Sequence, residues 1–395
     1  MAGEKWNGVW TRDSAYSIHL ALAATHPDVS RKSLLAKVSG DGEVIQDTGT
    51  GGSWPVSTDR VVWAIAAWEL YCHTGDAAWL AQSYGILRKT ALRDRHAAFG
   101  VESGLYYGES SFLDWREQTY PSWMEPVDIF ESRALGTNML HYRLLVILQE
   151  MAEKLGRPAA EGRQWGEWAA ALKGRINDAF WMEDKGYYSA FLYPPLHGFR
   201  SDKSETLGAA LAVLFGVADR PRAARLLGQL PMVHYGVPCI HPQQPGRQPY
   251  HNRAIWPFVE AYCGWAGAEA GNMAAVSHIL RSMVRAAALF GTHKENFVAD
   301  TGDIRGTVIN SDRQLWSVAG YLGMVHRVLF GIRPGAAGIS FRPAVPDWVR
   351  GPLTLARYRY RGMELEVEVT GTGSVVRSLS VNGEEKGADY LLPAD

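Results

Sequence analysis

The chain has 395 residues, enough for one large domain or for two to three ordinary ones. Its 40 basic and 41 acidic residues give a formal net charge of −1 and are well mixed, so neither a nucleic acid nor an anionic membrane is the expected partner. The three cysteines lie far apart without metal-ligand spacing, which argues against a disulfide framework and a structural zinc site.

Two further absences narrow the expected location. No apolar run reaches the roughly 18 residues that a membrane helix needs, and the first residues lack the apolar segment of a signal peptide. We expect a cytoplasmic protein, or a secreted or periplasmic one if an upstream segment has been removed. The pattern gives no information on oligomeric state.

Helical patterns dominate the chain as far as about residue 330. Cap residues, glycines and prolines mark where these helices begin and end. The predicted helices are 14–25, 58–74, 76–98, 131–155, 160–181, 204–215, 221–230, 252–270, 272–290 and 311–329, with a very short one at about 30–38.

These helices alternate in character. AIAAWELY (64–71) is apolar nearly all round and must be buried on both sides, whereas NMAAVSHILRSMVRAAAL (272–289) is amphipathic and would face solvent. Six inner candidates begin near residues 14, 58, 131, 204, 252 and 312, with five outer candidates between them. This predicts an all-α (α/α)6 barrel over residues 1–333. A complete barrel of this type needs six outer helices. The one that is missing would be the first in chain order and would precede Trp6, so we expect the first outer helix to be lacking.

The composition changes after residue 333. Residues 334–395 alternate with period two and carry turn signals at Arg361-Gly362, Gly371-Thr372-Gly373 and Asn382-Gly383. They predict a small C-terminal antiparallel β domain.

Polar and aromatic residues stand close to the start of each inner helix. If the inner helices run parallel in a ring, their N-terminal ends meet at one mouth, where these residues form a single funnel. Carboxylates accept hydrogen bonds from hydroxyls and indoles stack on sugar rings, so the funnel predicts a carbohydrate substrate. The candidate substrate-binding residues are Trp10, Arg12, Asp13, Trp54, Asp59, Arg60, Trp115, Trp123, Glu205, His251, Asn252, Trp256, Asp312 and Trp316.

Each of these motifs also has a simpler explanation. Asp13, Asp59 and Asp312 could cap helices, and Arg12 could form a structural ion pair. His251 and His293 have no acid or thiol at ligand spacing, so we expect no metal and no other cofactor. The Gly-rich stretch 47–55 lacks the Lys-Ser/Thr pair of a phosphate-binding loop and is typical of a flexible rim loop.

Several segments resemble those of known enzymes. WTRDSAYSIHLALA (10–23) resembles the WTRDSA segment of glucoamylases. FLDWREQTYP and SRALGTNMLHYRLL resemble the general-acid loop and following helix of neutral invertases and processing α-glucosidases, and YHNRAIWPFVEAY and SDRQLWSVAGYLGM are similar to their late inner helices. FRPAVPDW and LARYRYRGMELEVEV look like the β tail of α-L-rhamnosidases and related phosphorylases. The resemblance covers nearly the whole chain and points to the six-hairpin glycosidase superfamily.

The resemblance implies an exo-acting, inverting glycoside hydrolase that cleaves a terminal, α-linked sugar. Asp114 matches the general acid, Glu295 the general base, and Arg12 and Asp13 match contacts to the cleaved sugar. The rhamnosidase pattern has a glutamate as the acid, which would favour Glu117 or Glu109. The N-terminal β-sandwich common in these enzymes is absent from this sequence.

An inverting hydrolysis needs one protonated and one ionised carboxyl group about 6.5–9.5 Å apart, with room for a water molecule. Burial against Trp115 and Trp123 is expected to raise the pKa of Asp114 and keep it protonated. Other chemistry on the same barrel stays open: an epimerase using His251 and His293, a phosphorylase with a basic phosphate pocket, a lyase, or an inactive carbohydrate-binding protein.

Overall fold

The structure is a computed structural model that describes residues 1–47 and 53–394. In chain order its helices are α1 (Thr11–Ser17), α2 (Pro27–Leu35), α3 (Trp63–Thr74), α4 (Ala77–Ala98), α5 (Arg116–Thr119), α6 (Pro126–Glu131), α7 (Leu135–Lys154), α8 (Ala159–Phe180), α9 (Thr206–Leu214), α10 (Arg220–Gln229), α11 (Pro257–Glu269), α12 (Met273–Phe290) and α13 (Leu315–Gly323). Helix α1 continues through the π turn Ile18–Leu22 to Ala23–Thr25, and α13 continues through Met324–Leu329. A 3₁₀ turn, Asp59–Val62, leads into α3.

Six helices close a ring at the centre of the molecule. Helices α1, α3, α7, α9, α11 and α13 each pack on the next, and α13 packs on α1. Every residue of α3 from Trp63 to His73 is buried, as is every residue of α11 from Pro257 to Gly267. The prediction that the Ala-, Gly- and Trp-rich helices are buried all round is therefore confirmed for α3 and α11, whereas in α13 Val318, Tyr321 and Leu322 are half-buried. The (α/α)6 barrel is confirmed.

The outer layer of the described chain consists of α2, α4, α8, α10 and α12, which pack on inner helices. Helix α12 buries one face, with Ala275, Val276, Ile279, Leu280 and Met283 at helical spacing. By length and composition alone α12 could also cross a membrane, but the core helix of a globular protein passes the same test. Its buried face packs against α11, and Val284 and Leu289 are exposed outside that face.

Short strand pairs line the N-terminal ends of the inner helices. Strands β3 (Arg133–Ala134), β7 (Ser204–Glu205) and β9 (Ala254–Ile255) directly precede α7, α9 and α11. They pair antiparallel with β6 (Phe191–Leu192), β8 (Ile240–His241) and β10 (Phe297–Val298). Two further pairs join β1 (Phe99–Gly100) to β2 (Leu105–Tyr106) and β4 (Trp181–Met182) to β5 (Tyr187–Tyr188). The loops around the mouth are therefore held to one another by backbone hydrogen bonds.

The chain after residue 331 forms antiparallel strands, as predicted. Strands β11 (Ile332–Pro334), β12 (Gly338–Phe341) and β17 (Leu392–Pro393) form one sheet, and hairpins join β13 (Leu353–Tyr360) to β14 (Met363–Val369) and β15 (Leu379–Val381) to β16 (Glu384–Lys386). Arg361-Gly362 and Asn382-Gly383, both left-handed, form the two hairpin turns. Tyr358 bonds His73 of α3 through its hydroxyl at 3.0 Å, which ties these strands to the barrel.

The ring depends on close approach between helices. A Cβ atom at Gly320 of α13 would lie 2.9 Å from the Cα atom of Phe258 in α11, and backbone cannot swing away as a side chain can. Gly320→Ala should therefore destabilise the protein by roughly 1–3 kcal/mol through overpacking, measured by urea unfolding. The matched control is Gly174→Ala in α8, where nothing lies within 4 Å of an added Cβ. This control should gain about 1 kcal/mol from helix propensity; equal effects of the two substitutions would contradict the packing account.

Candidate active site

Arg12, in the first turn of α1, joins three inner helices at the mouth. Its guanidinium lies 2.9 Å from Asp114 Oδ2, on the loop before α7, and 3.6 Å from Asp59 Oδ2, in the turn before α3. It also donates to the backbone oxygen of Ser111 at 3.1 Å. Asp13, the next residue, is buried beside it. The predicted convergence of helix N-termini thus brings a guanidinium and three carboxylates into one cluster, here called the Arg12 cluster: Arg12, Asp13, Asp59 and Asp114.

Charge crowding perturbs these carboxylates in different directions. Burial raises the pKa of Asp13 to about 7, with a further contribution from Asp114, and burial likewise raises the pKa of Asp59 to about 7. Burial would raise the pKa of Asp114 too, but Arg12 and His251 outweigh it, so this pKa lies below its ordinary value. The expected upward shift for Asp114 is therefore wrong, because the sequence pattern did not reveal its direct ion pair with Arg12.

Glu295 is the second carboxylate at the mouth, and it lies on the loop before α13. Its Oε1 atom accepts hydrogen bonds from the indole N–H of Trp6 at 2.9 Å and the hydroxyl of Tyr250 at 3.2 Å. Burial raises its pKa to about 8, and Asp13 adds to this effect. Its other oxygen, Oε2, is buried without a hydrogen-bond partner among the described residues.

Aromatic rings pack together next to Arg12 and His251. Phe112 packs edge-on against His251, Trp256 and Trp316, and Trp316 stacks on Phe258 at a centroid distance of 4.2 Å. Arg12 lies over the Trp316 ring at 5.9 Å. Because Trp256 and Trp316 are nearly fully buried, they form the floor of the mouth, whereas half-buried Trp115 packs edge-on against Tyr250 beside it.

Tyr250 stands between the two predicted catalytic residues. Its hydroxyl bonds Glu295, its ring lies 4.7 Å from that of His251, and His251 Nε2 is 3.8 Å from Asp114 Oδ1. Both Glu295 and Asp114 help to raise the pKa of the Tyr250 hydroxyl, after the larger effect of burial. Tyr250 therefore contacts Glu295 directly and is linked to Asp114 through the ring of His251.

Trp54 and Arg60 both bind Asp94 of the outer helix α4. Arg60 pairs with Asp94 of α4 at 2.6 Å, and Trp54 donates its indole N–H to the same carboxylate at 2.7 Å. Arg60 also lies over the Trp54 ring at 5.5 Å. These two predicted substrate contacts form a buried link between the mouth loops and an outer helix.

Glu205 and Asn252 are also held by the protein. Glu205 is 1% exposed and sits in a cradle formed by Gly136 and Gly208, where an added Cβ would lie 2.8 Å and 2.1 Å from its Oε1 atom. Backbone hydrogen bonds from these glycines only partly offset the effect of burial, which raises the pKa of Glu205 to about 7. Asn252 exchanges hydrogen bonds with the backbone of Gln244 and so fixes a mouth loop.

Four further predicted residues lie in separate surroundings. Trp123 is 47% exposed and stacks on Tyr193, so it does not dry the surroundings of Asp114 as expected. Asp312 pairs with Lys294 at 2.6 Å. Trp10, which precedes α1, lies beneath Lys37 at 5.8 Å, and Glu117 is exposed. Of the Gly-rich stretch 47–55, residues 48–52 lie outside the described residues.

The structure also bears on helix capping by Asp59 and Asp312 and on the surroundings of His251 and His293. Asp59 accepts from Gln46 and Ser57 side chains, and Asp312 binds side chains of Lys294 and Thr292, so capping is not the described role of either. His251 packs on Phe112, whereas His293 packs on Tyr321. Within residues 1–47 and 53–394, no group of three or more His, Cys, Asp or Glu side chains is placed to hold a metal ion.

Two contacts of Glu295, Trp6 and Tyr250, are absent from the predicted set. Tyr250 directly precedes the predicted His251, so its position before an inner helix could have identified it. Trp6 lies in the N-terminal segment, whose backbone bonds α13 through Ala2 and the preceding loop through Glu4. Nothing in the sequence pattern pairs this segment with the last inner helix.

Comparison with known proteins relates this chain to glycoside hydrolases. The sequence profile described as mannosylglycerate hydrolase MGH1-like glycoside hydrolase domain matches residues 9–317. The structure of GH63 mannosylglycerate hydrolase from Thermus thermophilus in complex with glucose is similar at a TM-score of 0.61 and 16% identity, over 79% of this chain and 92% of that one. A sialidase gives 0.65 and 18% identity, over 84% and 31% of the two chains.

A GH78 family rhamnosidase of Bacillus sp. GL1 gives a TM-score of 0.51 and 22% identity, over 72% of this chain and 28% of that one. Comparison with curated proteins gives no significant match. At these identities the structural likenesses show the fold, and the superfamily resemblance seen in the sequence is confirmed.

The Arg12 cluster makes a prediction about stability. Arg12→Gln leaves Asp59 and Asp114 without their guanidinium, so the free energy of unfolding at pH 7 should fall by about 3–5 kcal/mol. In the folded variant Asp114, freed from Arg12 and still buried, should take up a proton with a pKa above its ordinary value. The variant should therefore recover stability relative to wild type as the pH falls from 7 to 5.

Urea unfolding at both pH values measures this effect. The control is Arg222→Gln, which breaks an exposed pair with Asp219 and should cost no more than about 1 kcal/mol. A cost for Arg12→Gln that matches the control, or one that grows toward acid pH, would show that Arg12 does not hold these carboxylates.

Proposed function

The chain belongs to the MGH1-like glycoside hydrolase family and is a glycosidase acting on a carbohydrate, and on that premise we propose an exo-acting, inverting mechanism. In this mechanism Asp114 is the general acid and Glu295 is the general base, and the substrate is a terminal, α-linked sugar. One observation carries the proposal: at the mouth of the barrel Glu295 accepts from the Tyr250 hydroxyl, and Asp114 lies 3.8 Å from His251, whose ring packs on that of Tyr250.

Exposure supports the assignment of the two roles. The Asp114 side chain is 23% exposed, whereas Glu295 is 2% exposed and rests on Trp6 and Tyr250. In an enzyme that removes a terminal sugar, the leaving group must point out of the pocket and the attacking water must lie behind the sugar. The more accessible carboxyl group is thus suited to protonate the leaving oxygen, and the deeper one to activate water.

Asp114 suits the acid role better than the two glutamates nearby. Glu117, the second residue of α5, is exposed, and Glu109 is fully buried. Asp114 combines partial exposure with contact to Arg12, which resembles a substrate-holding arginine. We therefore place the acid at Asp114.

The proposed reaction moves two protons. The Asp114 carboxyl proton passes to the glycosidic oxygen as the bond from that oxygen to the anomeric carbon breaks. A water oxygen attacks the anomeric carbon from the opposite face and gives its proton to Glu295. The released sugar has inverted configuration, and a later exchange of protons with solvent resets both carboxyl groups.

Substrate must change the protonation of the free enzyme. The pKa of Asp114 lies below its ordinary value and that of Glu295 is about 8, so at neutral pH Glu295 is protonated and Asp114 is ionised before substrate binds. A sugar hydroxyl that takes donors of Arg12 would weaken its hold on Asp114, and the sugar ring would displace solvent from Asp114. Both effects favour transfer of the proton to the acid.

Substitution of the two carboxyl groups tests the assignment. Asp114→Asn and Glu295→Gln should each lower kcat by about 10²–10⁴-fold, as expected for loss of a general acid or base. Activity is measured on nitrophenyl α-glycosides, α-linked disaccharides and mannosylglycerate. Glu117→Gln is the matched control and should keep most of the activity. Full turnover by either test variant on an α-linked disaccharide or mannosylglycerate that wild type cleaves would refute the assignment. Nitrophenyl glycosides test Glu295 alone, because nitrophenolate leaves without a proton from the acid.

The pH dependence gives a second test. Because the productive form of the pair carries one proton, kcat/KM should fall above a pH of about 8, where Glu295 loses its proton in the free enzyme. Tyr250→Phe removes a donor to the ionised carboxylate, so the pKa of Glu295 should rise and this limb should move to higher pH. Tyr187→Phe is the control: the Tyr187 hydroxyl bonds the backbone oxygen of Asp202, not Glu295, so this substitution should leave the limb in place. A limb that moves to lower pH in Tyr250→Phe would contradict the proposed linkage.

A further inference from the structure

A second cavity lies at the end of the barrel opposite the mouth. Its volume is about 220 Å³, and all six inner helices or their continuations contribute to its wall. Its lining begins with His19, just beyond α1, and includes Glu69 of α3, Arg143 of α7, Leu214 of α9 and Trp265 of α11. Neither Glu295 nor any member of the Arg12 cluster lines this cavity.

The wall of this cavity is rich in hydrogen-bond donors and flat rings. Three guanidinium groups line it, those of Arg143, Arg327 and Arg333, whereas Glu69 is the only carboxylate in its described lining. Two indoles, Trp68 and Trp265, also line it. Arg327 and Arg333 lie over the Trp265 ring at 5.0 Å and 5.5 Å.

Each arginine of this wall has more N–H donors than its carboxylate partner occupies. Arg143 bonds Glu150 at 3.2 Å, Arg333 bonds Glu269, and Arg327 bonds Glu69, with Glu150 and Glu269 outside the lining. Each guanidinium has five N–H donors in a fixed fork, more than one carboxylate occupies.

Helix carbonyl ends would by themselves attract a cation to this side of the barrel. Arg327 already donates to backbone oxygens of His19 and Ile332, and Arg333 donates to that of Arg327. The free capacity left in the wall is therefore for an acceptor, and carboxylate and phosphate oxygens fit guanidinium groups best.

We propose that this cavity binds a sugar-sized organic anion. Its carboxylate or phosphate lies against Arg143 and Arg333, and its ring or carbon body packs against Trp68 and Trp265. This site is independent of the hydrolytic mechanism, and a failure of either proposal leaves the other standing.

Calorimetric titration of the whole chain tests the site with four probes: glucose 6-phosphate, glucuronate, glucose and inorganic phosphate. At least one of the two sugar anions should bind, and the tighter of the two identifies the preferred oxyanion. Arg143→Gln should weaken that binding by at least about tenfold, the scale of one lost charge-assisted hydrogen bond. Arg88→Gln is the matched control, since Arg88 pairs with Glu161 on the outer surface.

A second variant guards against loss of structure in the first. Leu214→Trp fills the cavity from the end of α9 without changing charge, and it should also remove binding while the melting temperature without ligand stays near that of wild type. Four results would overturn the proposal: no binding of either sugar anion, binding unchanged in both variants, equally tight Arg143-dependent binding of glucose, or equally tight binding of inorganic phosphate.

Discussion

The mouth of the barrel depends on one guanidinium among buried carboxylates. Arg12 faces Asp59 and Asp114 and adjoins Asp13, and these acids come from three different inner-helix entrances. Buried carboxylates repel one another and lose hydration, so their assembly needs a compensating charge. The ring of helices brings these carboxylates together, and the charge of Arg12 offsets their repulsion and lost hydration. The shape of the pocket and the protonation of its acids therefore have a common origin.

The ion pair between Arg12 and Asp114 also affects which carboxyl group is protonated in the free enzyme. Arg12 favours ionised Asp114, while burial favours protonated Glu295, which is the reverse of what the proposed mechanism requires. In that proposal, a substrate hydroxyl that accepts from Arg12 lowers this difference, so binding of the sugar and protonation of the acid are coupled. Such coupling would make hydrolysis depend on hydroxyl groups that do not themselves react.

The fold was predictable because its information is local. Residues 63–73 are mostly apolar and buried on all sides, whereas α12 buries one side only, and this contrast separates α3 from the outer helix α12. The site was predictable only as a convergence. Arg12 and Arg60 look alike in sequence, yet Arg60 pairs with Asp94 on an outer helix, a contact that no periodicity marks. The cradle of Glu205 and the lowered pKa of Asp114 likewise depend on neighbours distant in sequence.

The central claim is that Asp114 and Glu295 act on opposite faces of the sugar with water between them. The most direct test is proton NMR of the anomer first released by the wild-type enzyme from an α-linked substrate, recorded before mutarotation. The account predicts that the β-anomer appears first and then equilibrates. First release of the α-anomer would mean a covalent, retaining route, with the two carboxyl groups in different roles.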